Sequence, residues 1–277
     1  MLALTTWAAI QAPPTPARTL DATLVRLARV AELYRDNALG FACEESIVYS
    51  GTENGHISFA YLFIRDERGK FRDYRTWKTG KGGQEVDPRD YGVPRYLESA
   101  YLWAFVFRSD RQPLYRYELL SEETVGDRTA VVIQFLPRDL IRKGLNDWAG
   151  YARVDRDTTQ LLEFEAYTPD NWKKKLRRDA DVAMAPNRNS QSNTRAYDVE
   201  RIVTAFGFEK NGMRFPSHVE ITTTRSLIEP GVIHEAVWQS TLRKVTQDYA
   251  RFEFFSVRST DEIRRFVDGE GALPGTP

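Results

Sequence analysis

One cysteine and three histidines in 277 residues leave little room for thiol or metal chemistry. No disulfide can form within the chain, and a four-cysteine metal site is excluded. Cys43 sits in ALGFACEESIVY without an adjacent histidine. It is expected to be a small buried hydrophobe rather than a nucleophile. His56, His218 and His234 show none of the short spacings of a local metal motif. Net charge is also missing: 39 Lys+Arg balance 39 Asp+Glu. A dedicated nucleic-acid binder is normally basic, so no nucleic-acid partner is expected. G-x-S-x-G, H-E-x-x-H and the dinucleotide glycine fingerprint are all absent. GKGGQ, residues 80–84, lacks the GK[ST] ending of a phosphate loop. No cofactor is implied.

Long apolar runs are absent too. The longest near the start lies in MLALTTWAAIQA, apolar from Leu2 to Ile10 and followed by PPTPAR. Ten residues of helix reach about 15 Å, half of a bilayer core. The segment resembles the apolar and cleavage regions of a signal peptide, with cleavage expected near Ala12, although no Lys or Arg precedes Arg18. Either the true start lies upstream or this is a short apolar tail. Export to the periplasm or beyond is the expectation.

Aromatic residues are plentiful: 15 Phe, 13 Tyr and 6 Trp. They favour strands and large apolar surfaces. Thr19 to Asn37 reads as a helix, with Leu20, Leu24, Leu27, Ala31 and Tyr34 on one face and Thr19 as its cap. After Gly40 the period changes to two. Strands are expected at 41–50, 57–66, 71–77, 113–122, 128–137, 148–155, 160–168, 198–209, 213–227, 231–246 and 248–258. The 57–66 strand is apolar on both sides and is expected to be central and covered on both. Lys210-Asn211-Gly212 is the best hairpin signal. Residues 78–94 read as a polar loop. Strands adjacent in sequence and evenly spaced imply one large antiparallel sheet in an α+β protein.

One stretch stands out. Ala100 to Phe107 carries no charge and holds Tyr101, Trp103, Phe105 and Phe107. Residues 95–107 are expected to form a helix that is apolar nearly all round and therefore buried nearly all round. A strand over 101–107 is the alternative.

Two charged features were weighed for chemistry. Glu163 and Glu165 share a face of LLEFEAY, as the acid and base of a hydrolase would, but the plainer reading is the solvated side of a half-buried strand. WKKKLRRD places Lys173, Lys174, Lys175, Arg177 and Arg178 beside Trp172, inside a charged excursion at 170–195. These six are candidates to meet an anionic membrane surface or an envelope protein. An ordinary solvated loop is the alternative.

The order of elements, with segments LARVAELYRDNALGFACEES, YARVDRDTTQLLEFEAY and VTAFGFEKNGMRFPSHVEI, resembles the periplasmic lipoprotein-carrier superfamily (LolA/LolB-like) of outer-membrane lipoprotein sorting. The resemblance covers about Thr19 to Arg258. It implies a strongly curved, unclosed half-barrel with an N-terminal helix and the apolar helix on the concave face. The domain would span 19–268, with 1–18 a signal-peptide remnant and linker and 269–277 a loose tail. It also implies a lipid or acylated ligand. Tyr61, Phe63, Tyr101, Phe105, Tyr115, Tyr117, Phe164, Phe206, Phe208 and Trp238 are then the candidates to line the cavity. The expectation is a carrier rather than an enzyme. An envelope interaction or sensor module with a closed core is the rival.

Overall fold

A computed structural model of the chain describes residues 19–36, 41–65, 71–77, 86–91, 106–139, 147–184, 194–229 and 237–254. Twelve strands and two α-helices lie among them: α1 Leu20–Asp36, β1 Phe41–Ser50, β2 Gly55–Arg65, β3 Phe71–Trp77, β4 Tyr115–Val125, β5 Arg128–Pro137, β6 Ala149–Asp155, β7 Leu161–Tyr167, α2 Pro169–Met184, β8 Arg195–Ala205, β9 Phe208–Lys210, β10 Met213–Phe215, β11 His218–Ile228 and β12 Val237–Phe254. Ten strands form one antiparallel sheet in the order β3-β2-β1-β12-β11-β8-β7-β6-β5-β4. The two ends of that order do not pair, so the protein is an unclosed half-barrel of α+β class. β9 and β10 make a separate two-stranded hairpin.

Alternation decides which side chains go in. On β1, Phe41, Cys43, Glu45 and Ile47 are buried while the residues between them are not. Their partners Phe63, Tyr61 and Phe59 on β2 are buried as well. The same parity carries Val245 and Gln247 on β12, Val219 and Ile221 on β11, and Ile202 and Thr204 on β8. This inner face forms the main core with Leu27, Val30, Leu33 and Tyr34 of α1.

The periodic face predicts α1, and Thr19 caps it: Ala22 N donates to Thr19 Oγ1 at 3.3 Å. Three bonds moor the helix to the inner side. Arg26 Nε donates to Thr159 Oγ1 at 2.9 Å, Gln112 Nε2 donates to the Leu24 carbonyl at 2.8 Å, and the buried Tyr34 hydroxyl donates to the Arg214 carbonyl.

Two irregularities shape β12. Opposite Ala42 and Glu44 the register slips, and Arg251 takes φ 57°. The extra residue turns Phe252 and Phe254 inward beside Phe41, at ring distances of 5.3 and 5.9 Å. A second slip falls opposite Thr223 and Thr224.

Several expectations need correction. The strands expected at 231–246 and 248–258 are one strand over their described part, running Val237–Phe254 through Gln247. Gln247 carries no turn chemistry, and its neighbours pair on both sides. The expected 213–227 strand breaks at Pro216-Ser217, because proline cannot continue a ladder. The turn at Asn211 (φ 51°) and Gly212 (φ 76°) is present, but it joins three-residue strands rather than long ones. β2 is not covered on both sides: it lies next to the edge strand β3, and His56 and Ala60 are exposed on its outer side. Most of the 95–107 helix, with Tyr101 and Phe105, lies outside the described residues.

The charged excursion is a helix, not a loop. α2 starts from Thr168, whose Oγ1 accepts Asn171 N at 3.2 Å, and covers part of the outer face. Trp172 packs there with Ala149, Tyr167 and Val199. Asp181, near its other end, accepts Arg195 Nη1 at 2.9 and 3.0 Å and the Tyr197 hydroxyl.

The β6–β7 turn is held by charge. The Asp155 carboxylate accepts the amides of Asp157 and Thr158 at 2.9 and 2.8 Å and Arg128 Nη1 at 2.9 Å. Thr159 follows at φ 61°, a costly conformation for a β-branched residue. Burial pushes the Asp155 carboxyl up. The Thr158 amide, Arg128 and the Asp157 amide together outweigh that and hold it below the usual aspartate range. A depressed folded value contributes stability above the unfolded pKa, about 3.9, and loses it as pH falls through the folded value. Asp155→Asn is therefore expected to cost about 1–3 kcal/mol in urea unfolding at pH 7. It should also flatten the loss of stability of the parent below about pH 4. An unchanged acid limb would show that Asp155 does not set it.

Candidate functional site

The inner face is lined by two groups of aromatic rings. At the β4–β7 end, Phe135 and Phe164 stack at 4.6 Å, and Phe107 meets them edge-on at 6.2 Å each. Tyr117 stacks on Phe107 at 5.6 Å and on Tyr115 at 5.9 Å. The Tyr117 hydroxyl donates to the Val106 carbonyl at 2.7 Å. The last two residues of the apolar 100–107 stretch, Val106 and Phe107, are thus buried on the inner face. At the other end Phe41 is surrounded by Tyr61, Phe63, Phe215, Phe252 and Phe254 at 5.3–6.4 Å. Phe208 stacks on Phe252 at 4.5 Å.

Of the sequence-expected lining residues, Tyr61, Phe63, Tyr115, Phe164 and Phe206 are buried, and Tyr117 and Phe208 are half-buried against the same core. Tyr101 and Phe105 lie outside the described residues. Trp238 does not join them. It pairs with Leu227 near the free end of the β11–β12 hairpin and is 58% exposed.

Beside the second group lies a polar nest that the sequence reading missed. Glu45 is completely buried and faces Arg75, itself buried, from which it accepts Nε at 2.5 Å and Nη2 at 3.0 Å. Gln247 Nε2 donates to Glu45 Oε1 at 3.1 Å. The Arg75 guanidinium lies 4.7 Å from the centre of the Tyr61 ring, and Tyr61 meets Tyr249 at 5.6 Å. Strands β1, β2, β3 and β12 each supply a member. Burial alone would lower the Arg75 pKa. The Glu45 carboxylate reverses this and keeps the guanidinium charged. Burial, with Asp73 next, pushes the Tyr61 phenol well up, and burial followed by Glu45 does the same for Tyr249. Both phenols therefore keep their protons. The signal in the sequence was parity: Glu45 alternates with Cys43 and Ile47, and Arg75 with Trp77, at inward positions.

The other candidates are placed as follows. Cys43 is buried, and burial followed by Glu45 pushes its thiol far up. Glu163 and Glu165 lie on the outer side, where Glu163 accepts Arg153 Nη1 at 2.9 Å and Glu165 accepts the Tyr167 hydroxyl at 2.6 Å. No group of three metal-ligating side chains occurs among the described residues. His218 bonds Asp248 Oδ1 at 2.6 Å on the exposed outer side. His234 lies outside the described residues.

The cationic cluster divides. Trp172 is 2% exposed, packed on Tyr151 and Tyr167, and so presents no surface to a membrane. Lys175 lies 5.3 Å from the Trp172 ring centre and bonds Asp179 at 2.7 Å; Arg178 bonds the same carboxylate. Lys174 and Arg177 point outward, with Lys173 half-buried, beside the exposed Leu176 and Met184.

Breaking the nest from one side leaves a buried charge alone, which costs about 3–5 kcal/mol. Arg75→Leu should lose that much in urea unfolding, and Glu45→Leu with Arg75→Leu should recover much of it. A double variant no better than the single would contradict the pairing. Cys43 should stay unreactive to a thiol reagent in the native protein and react on unfolding; rapid native labelling would contradict its burial.

No protein-family model matches the chain, and no curated protein matches it. Solved structures similar to the chain were found. A DUF1329 family protein from Desulfovibrio piger is 13% identical, covers 88% of this chain and 96% of its own, and has a TM-score of 0.43. A putative outer membrane lipoprotein-sorting protein domain from Vibrio parahaemolyticus is 11% identical over 88% and 97%, at 0.41. A LolA superfamily protein from Nitrosomonas europaea is 10% identical over 86% and 95%, at 0.36.

Proposed function

We propose that this is an exported binding or carrier protein that holds an acyl chain or similar lipid-like ligand against the inner face of its half-barrel. One observation supports this most. The inner face joins two aromatic groups to a buried polar nest, and several rings at its margin, Trp77, Tyr117, Phe208 and Phe252, remain half-exposed. Pockets for small molecules combine a mostly apolar lining with a few convergent polar groups in this way. No catalytic constellation enters this reading.

The test is native mass spectrometry of the gently purified protein, followed by titration of delipidated protein with a fluorescent acyl probe. Extractable lipid in the first and saturable binding in the second are expected. Phe252→Ala should weaken the probe about tenfold, because the ring borders the ligand. Absence of both lipid and probe binding would overturn the carrier reading.

A second reading has its own observation. The outward side of α2 sets Leu176, Ala180 and Met184 among Lys173, Lys174 and Arg177. Such a face fits contact with an anionic membrane surface. Flotation with anionic vesicles should fail for Leu176→Asp and weaken for Lys174→Ser with Arg177→Ser. Lys175→Ser should leave it unchanged. A parent that does not float, or equal loss in Lys175→Ser, would remove this reading.

A further inference from the structure

We propose that the hydroxyls of Tyr61 and Tyr249 are the polar end of the ligand site, and that they donate to a neutral carbonyl, as in an acyl ester or amide, rather than to a free carboxylate or phosphate. The proposal rests on the binding function above and names its ligand class.

Tyr61 is 1% exposed, yet its hydroxyl oxygen has no hydrogen-bond partner; Tyr249, 7% exposed, has its hydroxyl against the Glu45 carboxylate. Buried polar groups in folded proteins are nearly always paired, and leaving one unpaired is costly. The two rings are neighbours, 5.6 Å apart and inclined by 62°. The ion pair is complete without Tyr61. The Glu45 oxygens already take two bonds from Arg75 and one from Gln247. The Tyr61 phenol is thus a donor without an acceptor, with a second phenol beside it, in a place the fold has built with four strands.

The charge around them selects the acceptor. Glu45 and Asp73 bring two carboxylates, and Arg75 brings one compensating cation. A third anion would enter a field that already opposes deprotonation of both phenols. A carbonyl oxygen accepts two hydrogen bonds and carries no charge. The apolar part of such a ligand has a path ready. Tyr61 lies 5.8 Å from Phe41, which leads on to Phe252 and Phe254. A chain along those rings would bring its carbonyl to the phenols.

The experiment uses the full chain, delipidated, with three probes that share one pyrene-labelled alkyl chain: the methyl ester, the free acid at pH 8, and the plain hydrocarbon. The ester is expected to bind about tenfold more tightly than the acid. Tyr61→Phe and Tyr249→Phe should each weaken the ester about fivefold and leave the hydrocarbon unchanged. Tyr61→Phe should keep or raise the Tm, since it removes an unpaired hydroxyl and keeps the ring. The infrared carbonyl band of the bound ester should move to lower wavenumber in the parent and less in the variants.

If no probe binds, the carrier function itself fails. If the three bind but the tyrosine variants change nothing, the phenols hold only an ordered water, and the proposal fails while the carrier function stands. Tighter binding of the acid, or a clear fall in Tm for Tyr61→Phe, overturns it in the same way.

Discussion

A ten-stranded sheet that does not close has two faces and two edges to cover, and one chain must supply all of the cover. The inner face takes the largest share. It holds fully buried Phe59, Phe63, Phe135 and Phe164, and α1 contributes Leu27, Val30, Leu33 and Tyr34 against them. A 17-residue helix is about 25 Å long, too short to cover ten strands spaced nearly 5 Å apart. Bulges help by bending the sheet around what it must enclose. The extra residue at Arg251 lets β12 aim Tyr249, Phe252 and Phe254 inward, where strict alternation would send the last two out. The outer face needs less, because it is largely polar. α2 closes the patch around Val199 and Tyr167, and arginine–carboxylate pairs occupy much of the rest.

The Glu45–Arg75 pair is the costly element in this arrangement. Two charges taken out of water lose several kcal/mol each, and their attraction returns that only with good geometry and further hydrogen bonds. Both conditions are met: the pair is bidentate, and Gln247 supplies the third donor. An apolar pair of similar size would be as stable or more so. What the ions add is position. They fix β3 against β1 across β2, and Gln247 fixes β12 on the other side. A slip of one residue on any of these strands would turn a charge to the wrong face.

Much of this architecture was legible in the sequence. α1 declared itself by its periodic face and its threonine cap, and the strands from β4 to β7 fell within three residues of their expected bounds. What failed did so for identifiable reasons. Lys173 to Arg178 reads as a charge run, but α2 buries a narrow side led by Trp172, and Lys175 covers that ring instead of seeking solvent. β12 was cut in two because Gln247 and Asp248 are polar, whereas Gln247 is an inward residue serving Glu45. Trp238 had the right alternation and the wrong end of the hairpin, and a strand's period says nothing about how far along it the cover extends. The polar nest escaped because apolar alternation was the only inward signal sought. Glu45 obeys that alternation while breaking its chemistry.

That break in chemistry divides the inner face into unequal halves. Around Phe135 and Phe164 the rings of Phe107 and Tyr115 are buried with them, at stacking distances as short as 4.6 Å, and the Tyr117 hydroxyl is bonded to the Val106 carbonyl. Parting such rings would forfeit close contacts with nothing polar to gain. The half built by β1, β2, β3 and β12 differs on both counts. Trp77, Phe208, Phe252 and Phe254 are only partly buried there, and Tyr61 holds a donor that no protein atom meets. A guest on this half would displace less packing and would satisfy a group that folding left unsatisfied. Both effects act in the same direction, and both follow from placing a glutamate and an arginine where alternation calls for apolar residues.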